Sequence, residues 1–410
     1  MNKERIKDKN NKVSINWSQL SAIVTGVSAI DMTSLSIRTR EEAKMFAREY
    51  GFDVDDPHAR DEIRAAHAEA VAFICEYFLD EGEQTQIPPE ILQPESYLDL
   101  LVYSSNYLNK SNVRQMWACA VLKVMHGIFH IDHDFKLRYF DTIRSQIFAS
   151  WDRLLEYHGD RHYLRGHQIC LPLYLFQRKR NKGRKSILLK LLQKPSYVAS
   201  DIYDHLGMRL VFETKLETIY ALKLLYKSHQ ISVINVKPFR SKNNLIEFNH
   251  AKKIFHRYRP LLDRAETYPI ELFKKMDRDL EAEFVSGRHK DNPHSSDQYQ
   301  SIQVTVRKMV RVPNPVYQQV EALRQLVGEN RRIPPQLMRT EAIDKEYAFY
   351  FDYEIQLMDR RSYLKSINGP ASHQAYKKRQ VETARRRVLG PQLLKSLEEK
   401  REYAAEGTLW

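Results

Sequence analysis

The chain has 410 residues, of which 42% are hydrophobic and 29% are charged, as is typical of a globular protein with two domains. It contains no apolar run of about 18 residues, so no transmembrane helix and no membrane association are predicted, and its charged N-terminus is unlike a secretory signal. Sixty-five Lys and Arg oppose 52 Asp and Glu, for a formal net charge of +13. This excess favours anionic partners, namely nucleotides, nucleic acid or acidic lipid. Three widely spaced cysteines are expected to be reduced thiols of a cytoplasmic protein.

The first part of the chain is predicted to be helical. Residues 1–15 are polar and charged, so we expect a disordered basic tail there. Residues 16–160 show helical spacing of apolar residues and no convincing alternation, which predicts an all-helical N-terminal domain. Its helices are expected to begin after Thr39 and Asp56, which have N-cap chemistry, and to include residues 137–157.

In the second part of the chain, strands alternate with helices. Strands are predicted over residues 169–176, 208–212, 231–236, 299–310 and 347–358. Helices are predicted over residues 184–192, 216–227, 250–285 and 371–389. This order predicts an α+β fold in which a mixed β-sheet is flanked by helices, over a domain of residues 166–390 with a tail at 391–410.

A basic loop precedes the first helix of this second domain. Six of the eight residues from Arg178 to Lys185 are Lys or Arg, a helix begins near Ser186, and Lys190 lies one turn further on. Clustered cations beside a helix N-terminus suit a polyphosphate. The glycine spacing of a Walker loop is absent. The alternative interpretation is a solvated basic loop without a ligand.

An acidic residue stands just before a predicted buried strand. Asp204 precedes the strand of residues 208–212, and Arg209 follows it by five residues. A carboxylate at the mouth of a sheet can hold Mg²⁺ through one or two oxygens. The alternative is that Asp204 is an ordinary cap or turn residue.

Two later strands carry polar or aromatic side chains at positions that suit a site. Tyr299 begins an alternating strand, where it would either stack on a base or pack at the rim of a loop. On the last strand, alternation places Asp352, Glu354 and Gln356 on one face. In so aromatic a strand, that polar face is expected to meet either solvent or an active site.

The order of these motifs resembles the synthetase domain of the RelA/SpoT family, which makes guanosine tetra- and pentaphosphate. The resemblance spans about Arg178 to Tyr376. Tyr299 begins a match to the family's YQS motif, and Glu354 begins a match to its EIQ strand. The other matching segments are residues 186–190, 201–209, 220–221, 290–293 and 371–377.

The resemblance implies a magnesium-dependent transfer of pyrophosphate from ATP to the 3′-hydroxyl of GDP or GTP. Asp204 corresponds to the family's metal-binding aspartate. Glu354 corresponds to the second carboxylate, which binds the metal or accepts the proton of the attacking hydroxyl. The residues that the resemblance assigns to nucleotide binding are Arg180, Arg184, Lys190, Arg209, Tyr299 and Gln356. Tyr299 would stack on the acceptor guanine.

The sequence departs from the family at two acceptor-side positions. Gln303 stands where the family often has histidine, and Met358 stands where it has arginine. Other acceptors therefore stay open, namely an adenine nucleotide or the 3′ end of tRNA. A third alternative is a catalytically silent relative that binds nucleotide or RNA.

The predicted helical domain does not resemble the family's hydrolase half. It contains a His133-Asp134 pair, and His126 and His130 have the i, i+4 spacing of metal ligands. The upstream histidine and the Glu-Asp pair that the hydrolase needs are missing. We therefore expect a polar helix end rather than a metal site.

Overall fold

The structure is a computed structural model that describes residues 17–33, 35–105, 113–166, 170–179, 183–193, 206–282, 299–327, 343–367 and 373–406. The chain forms two compact units. Unit 1 is drawn from Met1–Ile131, Leu188–Ala199 and Gln380–Trp410, and unit 2 from Asp132–Ile187 and Ser200–Arg379. Each unit combines separate stretches of the chain, so its boundaries differ from the continuous domains expected over residues 16–160 and 166–390.

Helices make up most of the described elements. The helices are α1 Trp17–Thr25, α2 Arg40–Glu49, α3 Pro57–Tyr77, α4 Pro89–Leu92, α5 Leu98–Tyr103, α6 Val113–Asp132, α7 Phe135–Arg138, α8 Phe140–Asp152, α9 Arg184–Gln193, α10 Lys215–Lys227, α11 Phe248–Asp263, α12 Ile270–Ala282, α13 Pro315–Val327, α14 Arg360–Ile367 and α15 His373–Glu406. The strands are β1 Leu155–His158, β2 Arg161–Leu164, β3 Leu171–Leu173, β4 Leu175–Arg178, β5 Gly207–Phe212, β6 Lys242–Asn243, β7 Ile302–Pro313 and β8 Glu346–Asp359.

The predicted helix starts of unit 1 are confirmed. The Thr39 hydroxyl accepts a hydrogen bond from the Glu42 backbone N–H at 3.2 Å, which caps α2. Asp56 Oδ1 accepts one from the His58 N–H at 3.1 Å, and Pro57 occupies the first turn of α3. Local chemistry was sufficient here because a cap involves residues only two or three positions apart.

Helix α15 is kinked, and a lysine satisfies the carbonyls that the kink leaves open. Gly390 has φ 74° and is followed by Pro391, which has no N–H to donate to the Arg387 carbonyl. Lys123 Nζ from α6 instead donates to the Arg387 and Val388 carbonyls at 3.1 and 3.4 Å. Burial lowers the pKa of Lys123, because it shields the ammonium from water. The two carbonyl oxygens accept hydrogen bonds from this ammonium.

The described residues of unit 2 form two β-sheets. Strands β1, β2 and β3 form an antiparallel sheet, and a five-stranded sheet has the order β4-β5-β8-β7-β6. In the larger sheet β5 and β8 run parallel, whereas the other neighbouring strands pair in antiparallel fashion. With helices against it, this arrangement confirms the predicted α+β class with a mixed sheet.

Several predicted elements of unit 2 were wrong in extent or type, and residues 250–285, for example, include parts of two helices, α11 and α12. Residues 137–157 do not form one helix, because α8 ends at Asp152 and β1 pairs with β2 through a turn at Gly159, whose φ is 60°. Residues 169–176 were predicted as one strand, but β3 and β4 belong to different sheets. The error at residues 137–157 missed a local hairpin, in which Gly159 and Asp160 form the turn between β1 and β2. The error at residues 169–176 arises because β3 pairs with β2 and β4 pairs with the more distant β5.

Residues 231–236 form a turn, not the predicted strand. The Ser232 N–H donates to Asn235 Oδ1 at 2.7 Å, and the Val236 N–H donates back to the Ser232 carbonyl at 3.0 Å. Val233 and Ile234 are 91% and 93% exposed. The asparagine side chain stabilises the turn, which outweighs the β-propensity of the neighbouring valines and isoleucines.

The two faces of the large sheet differ in chemistry. One face is apolar, with buried Tyr353, Ile355 and Leu357 of β8 in a core shared with α8 and α10. The alternation of β8 places Glu354 and Gln356 on the opposite face. Among the described residues, no helix is both long enough and apolar enough to cross a membrane.

Candidate functional site

Strand register brings several polar residues of β5, β7 and β8 together on one face of the large sheet. Gln356 of β8 lies opposite Arg209 of β5 on one side and Gln303 of β7 on the other. Glu354 lies opposite Gly207. The resulting candidate site combines segments that are more than 140 residues apart in the chain.

A hydrogen-bond network links four of the predicted site residues. Gln356 Oε1 accepts from Arg209 Nε at 3.3 Å, from Arg209 Nη2 at 3.2 Å and from the Tyr299 hydroxyl at 3.2 Å. Gln356 Nε2 donates to Glu354 Oε2 at 2.9 Å. The Gln356 side chain is buried, and its partners define its orientation, because Arg209 needs an acceptor and Glu354 needs a donor.

Tyr299 and Arg209 are each held by a second contact. Asn244 accepts from the Ser301 N–H at 2.8 Å and donates to the Tyr299 carbonyl at 2.7 Å, which holds the segment before β7. The Arg209 guanidinium lies 5.9 Å from the centroid of the Tyr363 ring on α14. Both side chains therefore reach the network from supported backbone positions.

Glu354 also forms an ion pair. Lys179, the residue after β4, places its Nζ 2.5 Å from Glu354 Oε2. Their side chains are 24% and 16% exposed, so the pair is mostly shielded from water. Both donors to Glu354, the ammonium of Lys179 and the amide of Gln356, converge on the same oxygen.

The position opposite Glu354 has little room for a side chain. A Cβ on Gly207 would lie 2.9 Å from Cδ of Lys179 and 3.2 Å from the Glu354 carbonyl oxygen. Both distances are shorter than ordinary van der Waals contact. Glycine at this place therefore lets the lysine stem pass over β5.

The third polar residue of β8 is already neutralised. Asp352 is bound by Lys237 Nζ at 2.9 Å and lies 3.7 Å from Arg307 Nε. Its side chain is 12% exposed. Asp352 therefore has two cations beside it, whereas Glu354 on the same face of β8 has Lys179.

The predicted cations of the basic loop lie in several environments. Arg178 pairs with Asp152 and lies 4.9 Å from the centroid of the Phe148 ring. Arg184 pairs with Asp132. Lys190 lies on the part of α9 that belongs to unit 1.

Two predicted site residues, Arg180 and Asp204, lie outside the residues that the structure describes. Among the residues that it does describe, no group of three or more His, Cys, Asp or Glu side chains is arranged to hold a metal ion.

No protein-family model, no curated protein and no solved structure matches the chain. The site must therefore be interpreted from its own geometry and chemistry.

Sequence reasoning did not single out Lys179 or Gly207. Lys179 was one of several cations in the basic loop, and Gly207 was one residue within the matching segment of residues 201–209. Their role depends on the antiparallel pairing of β4 with β5. This pairing continues one residue past Arg178, where the Lys179 N–H donates a hydrogen bond to the Gly207 carbonyl at 2.8 Å. A register prediction for β4 would have been needed to find them.

His126 and His130 of unit 1 belong to an aromatic cluster. His126 Nδ1 lies 2.7 Å from the Tyr50 hydroxyl, and the rings of His126 and His130 are 4.5 Å apart. Burial, and to a lesser degree His130, lowers the pKa of His126 to about 4. The His126 ring is therefore neutral near pH 7 and packs against aromatic side chains.

Proposed function

We propose that the chain transfers pyrophosphate from ATP to the 3′-hydroxyl of a nucleotide in a magnesium-dependent reaction, with GDP or GTP as the favoured acceptor. The observation that carries the proposal is the network of Glu354, Gln356, Arg209 and Tyr299 on one face of the mixed sheet. These residues come from three separate motifs that resemble the RelA/SpoT synthetases. Their convergence supports a shared site rather than three unrelated matches.

The donor set suits magnesium in part. Mg²⁺ commonly binds one or two carboxylates and completes its shell with phosphates and water. Glu354 offers a mostly buried carboxylate beside the first residue of β5, and the second proposed ligand, Asp204, stands three residues before Gly207 in the chain. These two residues would hold the ion, which would neutralise charge on the phosphates of ATP.

The remaining chemistry falls to positioning. The oxygen of the acceptor 3′-hydroxyl forms a bond to the β-phosphorus of ATP, the bond from that phosphorus to the α,β-bridging oxygen breaks, and AMP leaves with the electron pair. Glu354 accepts the proton of the hydroxyl. Tyr299 stacks on the acceptor base while its hydroxyl is held by Gln356. In-line alignment and neutralisation of charge supply most of the catalysis in such transfers.

Cations are proposed to bind the phosphates of ATP. Arg180, Arg184 and Lys190 are the proposed ligands of the donor. Arg184 pairs with Asp132 in the structure, so this role requires it to exchange a carboxylate for a phosphate. Arginine binds both groups with the same planar pair of N–H donors, which makes the exchange chemically conservative.

The test is a transfer assay with γ-labelled ATP, Mg²⁺ and, in turn, GDP, GTP, ATP or tRNA. Glu354→Gln is expected to lower the rate of transfer by about 100-fold or more, the usual contribution of a general base. Asp352→Asn is the matched control, because it changes a carboxylate two residues away on the same face and is expected to keep most of the activity. Absence of label in every acceptor, or full activity in Glu354→Gln, would contradict the proposal.

A second candidate acceptor is the 3′ end of an RNA. Between Lys237 and Arg264 the chain carries eight Lys and Arg but two Asp and Glu, a net charge of +6. Lys242, Lys252 and Lys253 are exposed on this segment. Such a density of positive charge favours a polyanion. If RNA is the acceptor, tRNA takes the label in preference to GDP, and the rate falls steeply with salt.

A further inference from the structure

Lys179, Gly207 and Glu354 lie side by side across three neighbouring strands. The Lys179 N–H donates to the Gly207 carbonyl at 2.8 Å, and Gly207 is the register partner of Glu354. Adjacent strands are about 4.8 Å apart, so the backbones of Lys179 and Glu354 are separated by about 10 Å. The ammonium of Lys179 reaches Glu354 by crossing the intervening strand.

That crossing depends on the glycine. With a Cβ at residue 207, the lysine Cδ would be 2.9 Å away and its Cε 3.5 Å away, and the Glu354 carbonyl oxygen would be 3.2 Å away. The last of these atoms is backbone and cannot rotate aside. The ion pair is therefore a built feature of the sheet and not a chance contact between long surface side chains.

The ammonium lies where a metal ion would bind Glu354. Lys179 Nζ is 2.5 Å from Oε2, and Gln356 Nε2 donates to the same oxygen at 2.9 Å. An ammonium and a divalent cation on one carboxylate repel each other strongly in a site that is mostly shielded from water. Binding of a metal to Oε2 of Glu354 thus requires Lys179 to leave.

A destination for the displaced lysine follows from its chemistry. Lysine carries a point charge on a flexible stem of four carbons, so it can swing between two anions while its backbone stays in place. Among the described cations of the basic loop, Arg178 and Arg184 already pair with Asp152 and Asp132. Triphosphate delivered together with the metal would offer Lys179 a new anion as it loses the first.

We propose that Lys179 is a displaceable counter-ion, which occupies the metal position on Glu354 in the free protein and becomes a ligand of the ATP phosphates when metal and ATP bind. The inference rests on the proposed function for the identity of the donor nucleotide. Its consequence is that metal and ATP bind to the site together, because each removes an obstacle to the other. In the free protein the Glu354 carboxylate is meanwhile held in place by Lys179 and Gln356.

The first measurement uses Mn²⁺, followed by electron paramagnetic resonance, with the free full-length protein and no nucleotide. Lys179→Met is expected to tighten Mn²⁺ binding about tenfold, and the double variant with Glu354→Gln is expected to lose that gain. Gly207→Ala should tighten Mn²⁺ binding as well, because it pushes the lysine off Glu354 without removing it. Lys237→Met is the matched control, since it removes a lysine from Asp352, beside which Arg307 remains, and should leave Mn²⁺ binding unchanged.

The second measurement is ATP binding in the presence of Mg²⁺. Lys179→Met is expected to weaken it about tenfold, whereas Lys179→Arg should recover part of the loss because it keeps the charge. A lysine with a purely structural role would not move metal and ATP affinities in opposite directions. Circular dichroism of each variant shows whether it is folded.

The outcomes separate this inference from the proposed reaction. If Lys179→Met leaves Mn²⁺ affinity unchanged, or if no variant binds Mn²⁺ through Glu354, the counter-ion proposal is overturned whether or not transfer occurs. If Lys179→Met tightens Mn²⁺ and weakens ATP while no acceptor takes label in the transfer assay, the lysine proposal stands and the proposed reaction fails.

Discussion

A buried glutamate at the start of α10 makes the stability of unit 2 depend on pH. Glu217 Oε2 accepts from the Thr214 N–H at 2.6 Å and from the Thr214 hydroxyl at 3.0 Å, which completes a capping box. Glu217 is fully buried, and its Oε1 has no hydrogen-bond partner among the described residues. Burial raises the pKa of Glu217 to about 7, although the bonds from Thr214 act in the opposite direction.

The sign and size of the effect follow from that shift. The unfolded chain has the ordinary pKa of 4.5, so between this value and about 7 the folded state binds more protons than the unfolded state. The free energy of unfolding therefore falls as the pH rises through this window. A shift of this size is worth about 3 kcal/mol once Glu217 is ionised in the folded state.

Replacing the carboxyl with an amide should remove this penalty. Glu217→Gln keeps an oxygen for the Thr214 N–H and carries no charge. We expect the variant to be about 1–3 kcal/mol more stable than the wild type near pH 8, and within about 1 kcal/mol of it near pH 5. The expected gain in stability is smaller than the free energy of the full pKa shift, because the new amide N–H₂ would take the place of Oε1, which has no hydrogen-bond partner among the described residues.

Urea unfolding at the two pH values measures the difference directly. Glu213→Gln is the control, because Glu213 is a neighbouring glutamate that pairs with Arg360 near the surface. Its stability difference from the wild type should not grow from low to high pH as that of Glu217→Gln does. Parallel pH curves for Glu217→Gln and the wild type would refute the reasoning, since they would mean that Glu217 ionises normally in the folded protein.

Three other changes have expected results. Lys123→Met leaves the two carbonyls at the kink of α15 without their lysine and should lower stability by about 1–3 kcal/mol in urea unfolding; an unchanged midpoint would show that other groups satisfy them. Gly207→Ala should lower the free energy of unfolding by about 1–3 kcal/mol through overpacking. The loss should be smaller in a Lys179→Ala background, which a double-mutant cycle in urea would show. Tyr299→Phe should raise the acceptor KM less than Tyr299→Ala, because it loses about 1 kcal/mol of hydrogen bonding to Gln356 but keeps the stacking ring; equal KM values would argue against stacking.

Much of the secondary structure of unit 2 was predictable because it reflects local patterns. The strand predicted over residues 208–212 is β5, and the helix predicted over residues 216–227 is α10, each within one residue at either end. Alternation along β8 also correctly separated Glu354 and Gln356 from the apolar residues between them. These patterns need no partner, since side chains in a strand alternate whatever pairs with it.

Prediction failed where the composition of a segment was compatible with more than one local structure. The apolar run of residues 169–176 has the composition of a single strand, yet the chain passes from one sheet to another between Leu173 and Leu175. Residues 231–236 have the composition of a strand and form a turn, since Asn235 stabilises the bend and, among the described residues, the pairing of this segment with β7 is limited to an isolated bridge between Val236 and Val306. Composition measures a preference, and partners elsewhere in the chain decide between states that are close in energy.

The candidate site likewise has features that the sequence predicted and features that only the tertiary structure decided. From the sequence alone came the residue types, the face of β8 that carries Glu354, and the resemblance that made Tyr299 and Arg209 candidates. Only the tertiary structure decided that Arg209 and Tyr299 meet at Gln356, and that Lys179 crosses Gly207 to reach Glu354. The physical reason is register: which residues face each other across β4, β5, β8 and β7 depends on pairing between distant segments, and a slip of one residue would turn each of these side chains to the other face of the sheet.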